Sequence, residues 1–281
     1  MSQHPSLSIV IPAYNEAERL PPTLRSVLEF VRREGRQAEV IVVDDGSTDG
    51  TSDETRRIGA GEPTVRLIRL PQNRGKGYAV RTGVVNATGD FILFADADGS
   101  TPIEEIHRLE RALGEGAAVA VGSRALDATD VRVEAKLTRR LAGKLFQLLV
   151  RRLTVDNVTD TQCGFKLFSA EAGHQLFSRL RMNRFSFDVE LLMMANRWGY
   201  AVAEVPVNWT HRAGSKVNVV VDGLAMAVDL FRIRSNALRG RYDSPHIRVH
   251  DTPVGLPAYS DSAYGDSGRR SSTGDGTPAA T

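Results

Sequence analysis

The alternation of short apolar runs with helical patterns in the first half of the chain limits its fold more than any other feature. Each apolar run has the length of a buried strand, and a helical pattern separates it from the next run. Strands that alternate with helices predict an α/β fold with a mostly parallel sheet flanked by helices. The predicted strands are Leu7–Ile11, Glu39–Val43, Val65–Leu70, Phe91–Ala95 and Val119–Gly122, and the predicted helices are Glu18–Arg33, Ser52–Ile58, Gly77–Val85 and Ile103–Leu113.

The second half of the chain predicts longer helices and fewer strands. Helical patterns cover Val133–Arg152, Phe187–Trp198 and Val219–Leu238, and strand patterns cover residues 164–168 and Ala201–Val207. Residues 241–281 lack apolar periodicity and cannot bury enough surface to offset their chain entropy. We therefore expect one domain over residues 1–240, ending in amphipathic helices, and a disordered tail over residues 241–281.

Charge and cysteine content narrow the classes of partner and compartment. The 281 residues carry a formal net charge of +2, so the chain is not a polycation and we expect no nucleic acid partner. The single Cys163 excludes an intrachain disulfide and a cysteine-based zinc site, and it fits a reducing cytoplasm. We find neither a signal peptide nor a run of roughly 18 apolar residues, so we expect a protein that is soluble or lies on a membrane.

Polar segments follow the first three predicted strands, at the edge where a parallel sheet binds ligands. The first is Pro-Ala-Tyr-Asn-Glu at residues 12–16, the second contains Asp44 and Asp45, and the third places Lys76 between two glycines. Helix capping and tight turns account for most of these residues. Capping accounts poorly for two adjacent aspartates, whose carboxylates could accept hydrogen bonds from a nucleobase or a ribose.

The segment after the fourth predicted strand carries the strongest chemical signal. Asp96 and Asp98 follow a buried run, and on extended chain their carboxylates would point the same way, about 6–7 Å apart. Their mutual repulsion favours a cation, and hard carboxylate oxygens select Mg²⁺ or Mn²⁺ together with substrate phosphates. An EF-hand loop is excluded, because its twelfth position, counted from Asp96, holds His107.

Taken in order, the segments PAYNE, VDDGSTDGT, NRGKG and DADGS resemble those of family-2 glycosyltransferases, which have the Rossmann-like GT-A fold. The resemblance runs from Leu7 to Arg239. Four later segments, VGSR, DTQCGFKLF, RFSFDVEL and EVPVNW, are similar to those of dolichyl-phosphate β-glucosyltransferases and their prokaryotic relatives. Polyprenyl-phosphate mannosyltransferases usually carry Leu and Gln after the second aspartate of the DxD pair. This chain has Gly99 and Ser100 there, which favours glucose.

The resemblance implies a metal-dependent, inverting transfer of glucose from a UDP-sugar to a polyprenyl or dolichyl phosphate. It implies that Asp98 binds Mg²⁺ or Mn²⁺, that Asp96 contacts the metal or the ribose, and that Arg124 and Lys216 neutralise phosphates. The candidate nucleotide-binding residues are Pro12, Tyr14, Glu16, Asp44, Asp45, Lys76 and Asp96, and the candidate catalytic residues are Asp98, Asp188, Asp160, Arg124 and Lys216.

The acceptor decides whether a general base is needed. A lipid phosphate is already an anion and needs mainly positioning, whereas a hydroxyl acceptor needs a base, for which Asp188 and Asp160 are candidates. Asp188 could equally be the first-turn acid of its helix. The alternatives are a GDP-mannose-dependent mannosyltransferase, a glycosyltransferase with a soluble acceptor, and a nucleotide-binding module without turnover.

The predicted helix over Val133–Arg152 has an apolar face and, opposite it, Lys136, Arg139 and Arg140. Such a helix either packs on the sheet, as most amphipathic helices do, or contacts anionic headgroups together with Val219–Leu238. We expect a cytoplasmic protein that lies on the cytosolic membrane face, where it meets a lipid-phosphate acceptor.

Overall fold

A computed structural model describes residues 5–126, 128, 131–134, 158–212 and 219–243 of the chain. The strands are β1 Leu7–Ala13, β2 Ala38–Asp44, β3 Val65–Arg69, β4 Phe91–Ala95, β5 Val119–Ser123, β6 Val133–Glu134, β7 Phe165–Ser169, β8 Val202–Pro206 and β9 Trp209–Thr210. The helices are α1 Leu20–Glu34, α2 Thr51–Gly59, α3 Lys76–Val85, α4 Ile106–Gly114, α5 Ala170–Arg179, α6 Phe187–Arg197 and α7 Val219–Leu238, with a 3₁₀ turn at Ile103–Glu105.

The central sheet has seven strands in the order β3-β2-β1-β4-β7-β5-β8. Strand β7 runs antiparallel to both of its neighbours, β4 and β5, and every other pairing in the sheet is parallel. Strands β6 and β9 form a separate parallel pair. The predicted α/β fold with a mostly parallel sheet is therefore confirmed.

Helices cover both faces of the sheet, because alternate residues of the central strands point to opposite sides. In β1, Ile9 and Ile11 belong to the core formed with α1 and α4, whereas Val10 belongs to the core formed with α3, α5 and α6. All three side chains are fully buried. No helix in the described part of the chain is both long enough and apolar enough to cross a bilayer.

The structure corrects two predicted boundaries near the sheet edge. Pro12 does not end the first strand, since β1 continues to Ala13. Proline has no backbone N–H to donate to a neighbouring strand. It is tolerated at position 12 because the pairing of β1 with β4 ends at Val10, so that side of the strand needs no donor there. The predicted start of the helix at Val133 is also wrong, because Val133–Glu134 form β6. The rest of that predicted helix, with Lys136, Arg139 and Arg140, lies outside the described residues.

The packed part of the chain extends beyond the predicted boundary at residue 240. Tyr242 is only 1% exposed, and its carbonyl accepts a hydrogen bond of 2.8 Å from the indole N–H of Trp198. Its hydroxyl donates to the buried carboxylate of Glu190. Tyr242 therefore packs with the domain. Residues 244–281 lie outside the described residues, so the predicted disorder of the tail stays a prediction.

Candidate active site

The carboxyl ends of β1, β2 and β4 bring the predicted donor-binding segments to one edge of the sheet. Strand β1 lies between the other two, and Ala13 pairs with Asp44 at the end of β2. Tyr14, immediately after β1, is 38% exposed at this edge. The topology thus gathers in space the segments that the sequence places far apart.

Hydrogen bonds fix the loop after β1 onto the loop after β2. The backbone N–H of Asn15 donates to the hydroxyl of Ser47 at 2.8 Å, and that of Glu16 donates to the hydroxyl of Thr51 at 2.7 Å. The Glu16 carboxylate also accepts a hydrogen bond from Arg19. Glu16 is therefore held in place by this connection. Of the three donor contacts predicted in this segment, Pro12, Tyr14 and Glu16, Tyr14 is the most exposed.

Asp44 and Asp45 organise two different loops. The fully buried Asp44 carboxylate accepts a 2.8 Å hydrogen bond from the Ser47 N–H and another from the Ser52 hydroxyl. Asp45 accepts hydrogen bonds of 2.8 Å from the backbone of residues 74–75. Burial raises the pKa of Asp45 in spite of these two donors. The adjacent carboxylates therefore have a structural role that the sequence did not reveal, and their predicted contacts with a nucleotide stay predictions.

Asp96 and Asp98 lie in a turn, and the expectation of an extended chain between them is wrong. Strand β4 ends at Ala95, and the Asp98 carboxylate accepts a 3.0 Å hydrogen bond from the Ser100 N–H. Gly99 adopts a φ of 63°, a left-handed conformation that glycine takes at little cost. Both aspartate side chains keep partial solvent access, 35% and 26%.

Two cations face this aspartate pair. The Lys76 ammonium lies 2.7 Å from Oδ1 of Asp96, and Nη1 of Arg19 lies 3.9 Å from Oδ2 of Asp98. Burial alone would lower the pKa of Lys76, but the carboxylates of Asp96 and Asp188 outweigh it and raise the pKa above its ordinary value. Arg19 is also bound to Glu16, so two cations face three carboxylates at this edge of the sheet.

Gly164, in the DTQCG segment, provides the space that Asp96 occupies. The Asp96 N–H donates to the Gly164 carbonyl at 2.9 Å. A Cβ atom added to Gly164 would lie 2.0 Å from Oδ2 of Asp96, which is far inside van der Waals contact. Any larger residue at this position would displace the carboxylate.

Arg124 and Asp160 form a two-pronged ion pair beside the site. Both contacts between the guanidinium and the carboxylate measure 2.7 Å, and the Arg124 backbone N–H also donates to Asp160. Burial would raise the pKa of Asp160, but the hydrogen bonds and charge of Arg124 hold it below its usual range. The aromatic ring of Trp209 lies 5.4 Å from the guanidinium carbon. A carboxylate held this way is a weak proton acceptor, which argues against Asp160 as a base.

Glu204, on β8, anchors the segment that contains Asp160. Its carboxylate accepts hydrogen bonds of 2.8 Å from the backbone N–H groups of Thr159 and Asp160. It also accepts a 2.7 Å hydrogen bond from the Ser123 hydroxyl at the end of β5. Glu204 therefore fixes the position of the Arg124–Asp160 pair relative to the sheet.

Asp188 is buried and paired with a lysine that the sequence analysis did not identify. The Lys166 ammonium, on β7, lies 2.6 Å from the Asp188 carboxylate and donates to the Cys163 carbonyl. Burial raises the pKa of Asp188 in spite of the nearby Lys166 and Lys76 cations. Asp188 also lies in the first turn of α6, where a carboxylate interacts favourably with the helix dipole.

The residues at the edge fit a divalent cation that is completed by a ligand. No group of three or more His, Cys, Asp or Glu side chains in the described ranges could hold a metal ion alone. Asp96 and Asp98 nevertheless offer hard oxygen donors with solvent access, and Mg²⁺ or Mn²⁺ needs only one or two carboxylates when phosphates supply the rest. Lys216, the other predicted phosphate contact, lies outside the described residues.

Comparison with known proteins decides the family. The profile of Glycosyl transferase family 2 matches residues 8–177, which include every polar segment at the sheet edge. The chain belongs to glycosyl transferase family 2. This family 2 glycosyltransferase is 40% identical to the human dolichyl-phosphate β-glucosyltransferase over 249 residues, which cover 84% of this chain and 77% of the human protein.

A yeast relative supports the same assignment. The dolichyl-phosphate β-glucosyltransferase of Saccharomyces cerevisiae is 36% identical over 254 residues, covering 84% of this chain and 76% of the yeast protein. The predicted resemblance of this family 2 glycosyltransferase to that group is therefore confirmed, and so is the prediction that it is a nucleotide-sugar-dependent enzyme.

Solved structures show that the fold of this family 2 glycosyltransferase is shared. The glucosyl-3-phosphoglycerate synthase of Mycobacterium tuberculosis, crystallised with Mn²⁺, UDP-glucose and phosphoglyceric acid, matches with a TM-score of 0.59. It is 24% identical, and the match covers 86% of this chain and 81% of the other. The mannosyl-3-phosphoglycerate synthase of Rubrobacter xylanophilus also matches, with a TM-score of 0.59 and 18% identity.

Proposed function

We propose that this protein transfers glucose from UDP-glucose, with inversion at the anomeric carbon, to the phosphate of a polyprenyl or dolichyl phosphate. The observation that carries the proposal is the 40% identity to a dolichyl-phosphate β-glucosyltransferase across 84% of the chain. A divalent cation, Mg²⁺ or Mn²⁺, is the proposed cofactor. It is supported by the aspartate pair and by the Mn²⁺ and UDP-glucose bound in a protein of the same fold.

The ion pairs of the site support an acceptor that is already an anion. Asp160 is bound on both oxygens by Arg124, and the buried Asp188 is paired with Lys166. A hydroxyl acceptor would require a base that is free to take its proton, whereas a phosphate acceptor needs no base. The Asp160 carboxylate, whose pKa Arg124 holds below its usual range, therefore suits a phosphate nucleophile better than a hydroxyl.

The cations of the site would bind and orient the reacting phosphates. A divalent ion on Asp98 and Asp96 would stabilise the charge that develops on the leaving diphosphate. Lys76 would contact the diphosphate from the β3–α3 side. Arg124, partly exposed and fixed by Asp160, would direct the acceptor phosphate toward the anomeric carbon.

Transfer assays with the purified protein test the proposal. UDP-glucose and GDP-mannose are each offered with polyprenyl phosphate in detergent or with 3-phosphoglycerate, in Mn²⁺ and in excess EDTA. We expect metal-dependent glucosylation of the polyprenyl phosphate only. Mannose transfer from GDP-mannose would assign the chain to the mannosyl group, and glucosylation of 3-phosphoglycerate alone would assign a soluble acceptor. Turnover that is undiminished in EDTA would remove the metal from the proposal.

We further propose that the protein acts on the cytosolic face of a membrane, with α7 as a contact. Val228, Phe231 and Leu238 on this helix are 52%, 64% and 80% exposed. Arg232 is exposed on this helix and Arg239 is exposed in the turn directly after it. Lys and Arg beside exposed apolar side chains favour anionic headgroups. The buried Cys163 thiol suits a reducing cytoplasm.

Sedimentation with vesicles of phosphatidylserine and phosphatidylcholine tests this contact. Phe231→Glu should weaken binding of the full chain, because it removes apolar area and adds a charge that anionic lipid repels. The matched control is Val85→Glu, which changes a 45% exposed valine on α3. Equal binding of both variants and the wild type would remove α7 from the proposed membrane contact.

A further inference from the structure

The Lys76 ammonium occupies a defined position at the aspartate pair. Asp45 fixes the loop that leads into α3 through the backbone of residues 74–75, and Lys76 is the first residue of that helix. From there its Nζ reaches Oδ1 of Asp96 at 2.7 Å and lies 5.3 Å from the centre of the Phe94 ring. The lysine is held by its backbone at one end and by a carboxylate at the other.

This contact places two cations in competition for one carboxylate. A divalent ion that uses Asp96 must approach the same oxygens that Lys76 neutralises. Asp98 has a weaker counter-ion, since the Arg19 guanidinium lies 3.9 Å from its Oδ2 and is itself bound to Glu16. A metal arriving alone therefore meets an Asp96 carboxylate that Lys76 already neutralises, and repulsion between the metal and Lys76 weakens its binding.

We propose that Lys76 is a displaceable counter-ion that makes the binding of metal and nucleotide diphosphate depend on each other. Without nucleotide, its ammonium stays on Asp96 and disfavours the metal. When a diphosphate enters, the flexible lysine side chain moves from Asp96 to a phosphate oxygen, and Asp96 becomes available to the metal. The proposal rests on the proposed function for the identity of the ligand, a nucleoside diphosphate, and adds the order in which the site is filled.

The charges around Lys76 support this exchange. Asp188 lies near enough to act on the Lys76 charge, but its carboxylate is already bound by Lys166 at 2.6 Å. Asp98 also acts on the Lys76 charge, and of the three acidic neighbours Asp96 is the one that Lys76 contacts directly. Loss of that contact is compensated only by another anion, and the diphosphate supplies one.

Titration of Mn²⁺, followed by the electron paramagnetic resonance signal of the free ion, tests the proposal without acceptor or turnover. Wild-type protein should bind Mn²⁺ weakly alone and at least about tenfold more tightly with saturating UDP. Lys76→Gln should bind Mn²⁺ alone about tenfold more tightly than the wild type, since one unit of repulsion is removed at close range. In this variant, saturating UDP should raise the affinity for Mn²⁺ by a smaller factor than in the wild type. By linkage, UDP affinity should then depend less on Mn²⁺.

Two further variants separate the proposed role from other effects of losing charge. Arg56→Gln removes a cation from an exposed pair on α2, and it should leave Mn²⁺ binding as in the wild type. Lys76→Arg keeps the charge and should keep the weak binding of Mn²⁺ alone. Unchanged or weaker Mn²⁺ binding by folded Lys76→Gln would overturn the proposal. Failure of the wild type to bind UDP at all would instead overturn the proposed function.

Discussion

A stop codon after Gly240 should destabilise the protein, whereas a stop after Asp243 should leave its stability unchanged. The two truncated chains differ by three residues, of which Tyr242 is 1% exposed. Its hydroxyl donates a hydrogen bond to Glu190, and its carbonyl accepts a hydrogen bond from the Trp198 indole N–H. A truncation after Gly240 therefore removes the buried ring of Tyr242. It also takes away the hydrogen-bond partner of the Glu190 carboxylate and of the Trp198 indole N–H.

The size of the effect follows from the groups that are removed. Removing a buried aromatic side chain costs roughly 3–5 kcal/mol of the free energy of unfolding. Loss of the hydroxyl alone, in Tyr242→Phe, should cost about 1–3 kcal/mol, because the Glu190 carboxyl loses a buried donor. In a domain of this size, 1 kcal/mol shifts the melting temperature by about 2–4 °C, so the truncation at 240 should lower it by roughly 6–20 °C.

The truncation should also weaken binding of the donor. Glu190 accepts hydrogen bonds from the backbone N–H groups of Arg181 and Met182. The next residue, Asn183, accepts a 3.1 Å hydrogen bond from the Tyr78 N–H in α3. Tyr242 thus supports the loop that packs against the start of α3, where Lys76 lies.

Urea unfolding followed by tryptophan fluorescence measures the stability, and calorimetric titration with UDP and Mn²⁺ measures the affinity. The stop after Asp243 and the full chain should unfold at the same urea concentration. If the stop after Gly240 also unfolded at that concentration, the reasoning from the burial of Tyr242 would be refuted.

Three further predictions concern the aspartates of the site. Asp98→Ala should abolish transfer with little change in melting temperature, since the side chain is partly exposed, and Mn²⁺ should no longer raise UDP affinity in calorimetry. Gly164→Ala should reduce the transfer rate at least about tenfold, because the added methyl group displaces the Asp96 carboxylate. Gly114→Ala, at a position with open space around it, should leave the rate unchanged. Equal rates in the two variants would contradict the close approach of Gly164 to Asp96. The pKa of Asp160 is lower in the folded protein than in the unfolded chain. The ionised Asp160 therefore stabilises the fold fully above its unfolded pKa of about 3.9, and this contribution is lost as pH falls through the folded pKa. Urea unfolding of Asp160→Asn at several pH values should lack this part of the acid dependence.

Much of the sheet was predictable because its strands are short runs rich in apolar residues. The positions of β1 to β5 and of α7 follow from periodicity, which depends on the local sequence alone. Strand β7 was predicted as a strand, but its antiparallel insertion between β4 and β5 was not, because pairing over more than 40 residues leaves no local signal. Helix α5 was not predicted, although Ser169 accepts a hydrogen bond from the Ala172 N–H as its N-cap.

The site was predictable in its residues and less so in their partners. Asp96 and Asp98 are identified by type and spacing, but the cations that face them come from α3 and from the turn before α1. Lys166 was missed because a lysine within a strand is ordinarily exposed, and its pairing with Asp188 spans 22 positions. Tyr242 was missed because the composition of the tail masked one buried aromatic residue.

The bond between Arg124 and Asp160 has a consequence for how this chain could diversify. The Arg124 backbone N–H lies 2.9 Å from the Asp160 carboxylate, so the chain leaves the sheet and returns to it at nearly one point. The cost of closing a loop grows slowly with its length, by about 0.6 kcal/mol for each doubling. A change of chain length between these two positions therefore adds little to the free-energy cost of closing the segment, because the ion pair holds its two ends together beside the sheet.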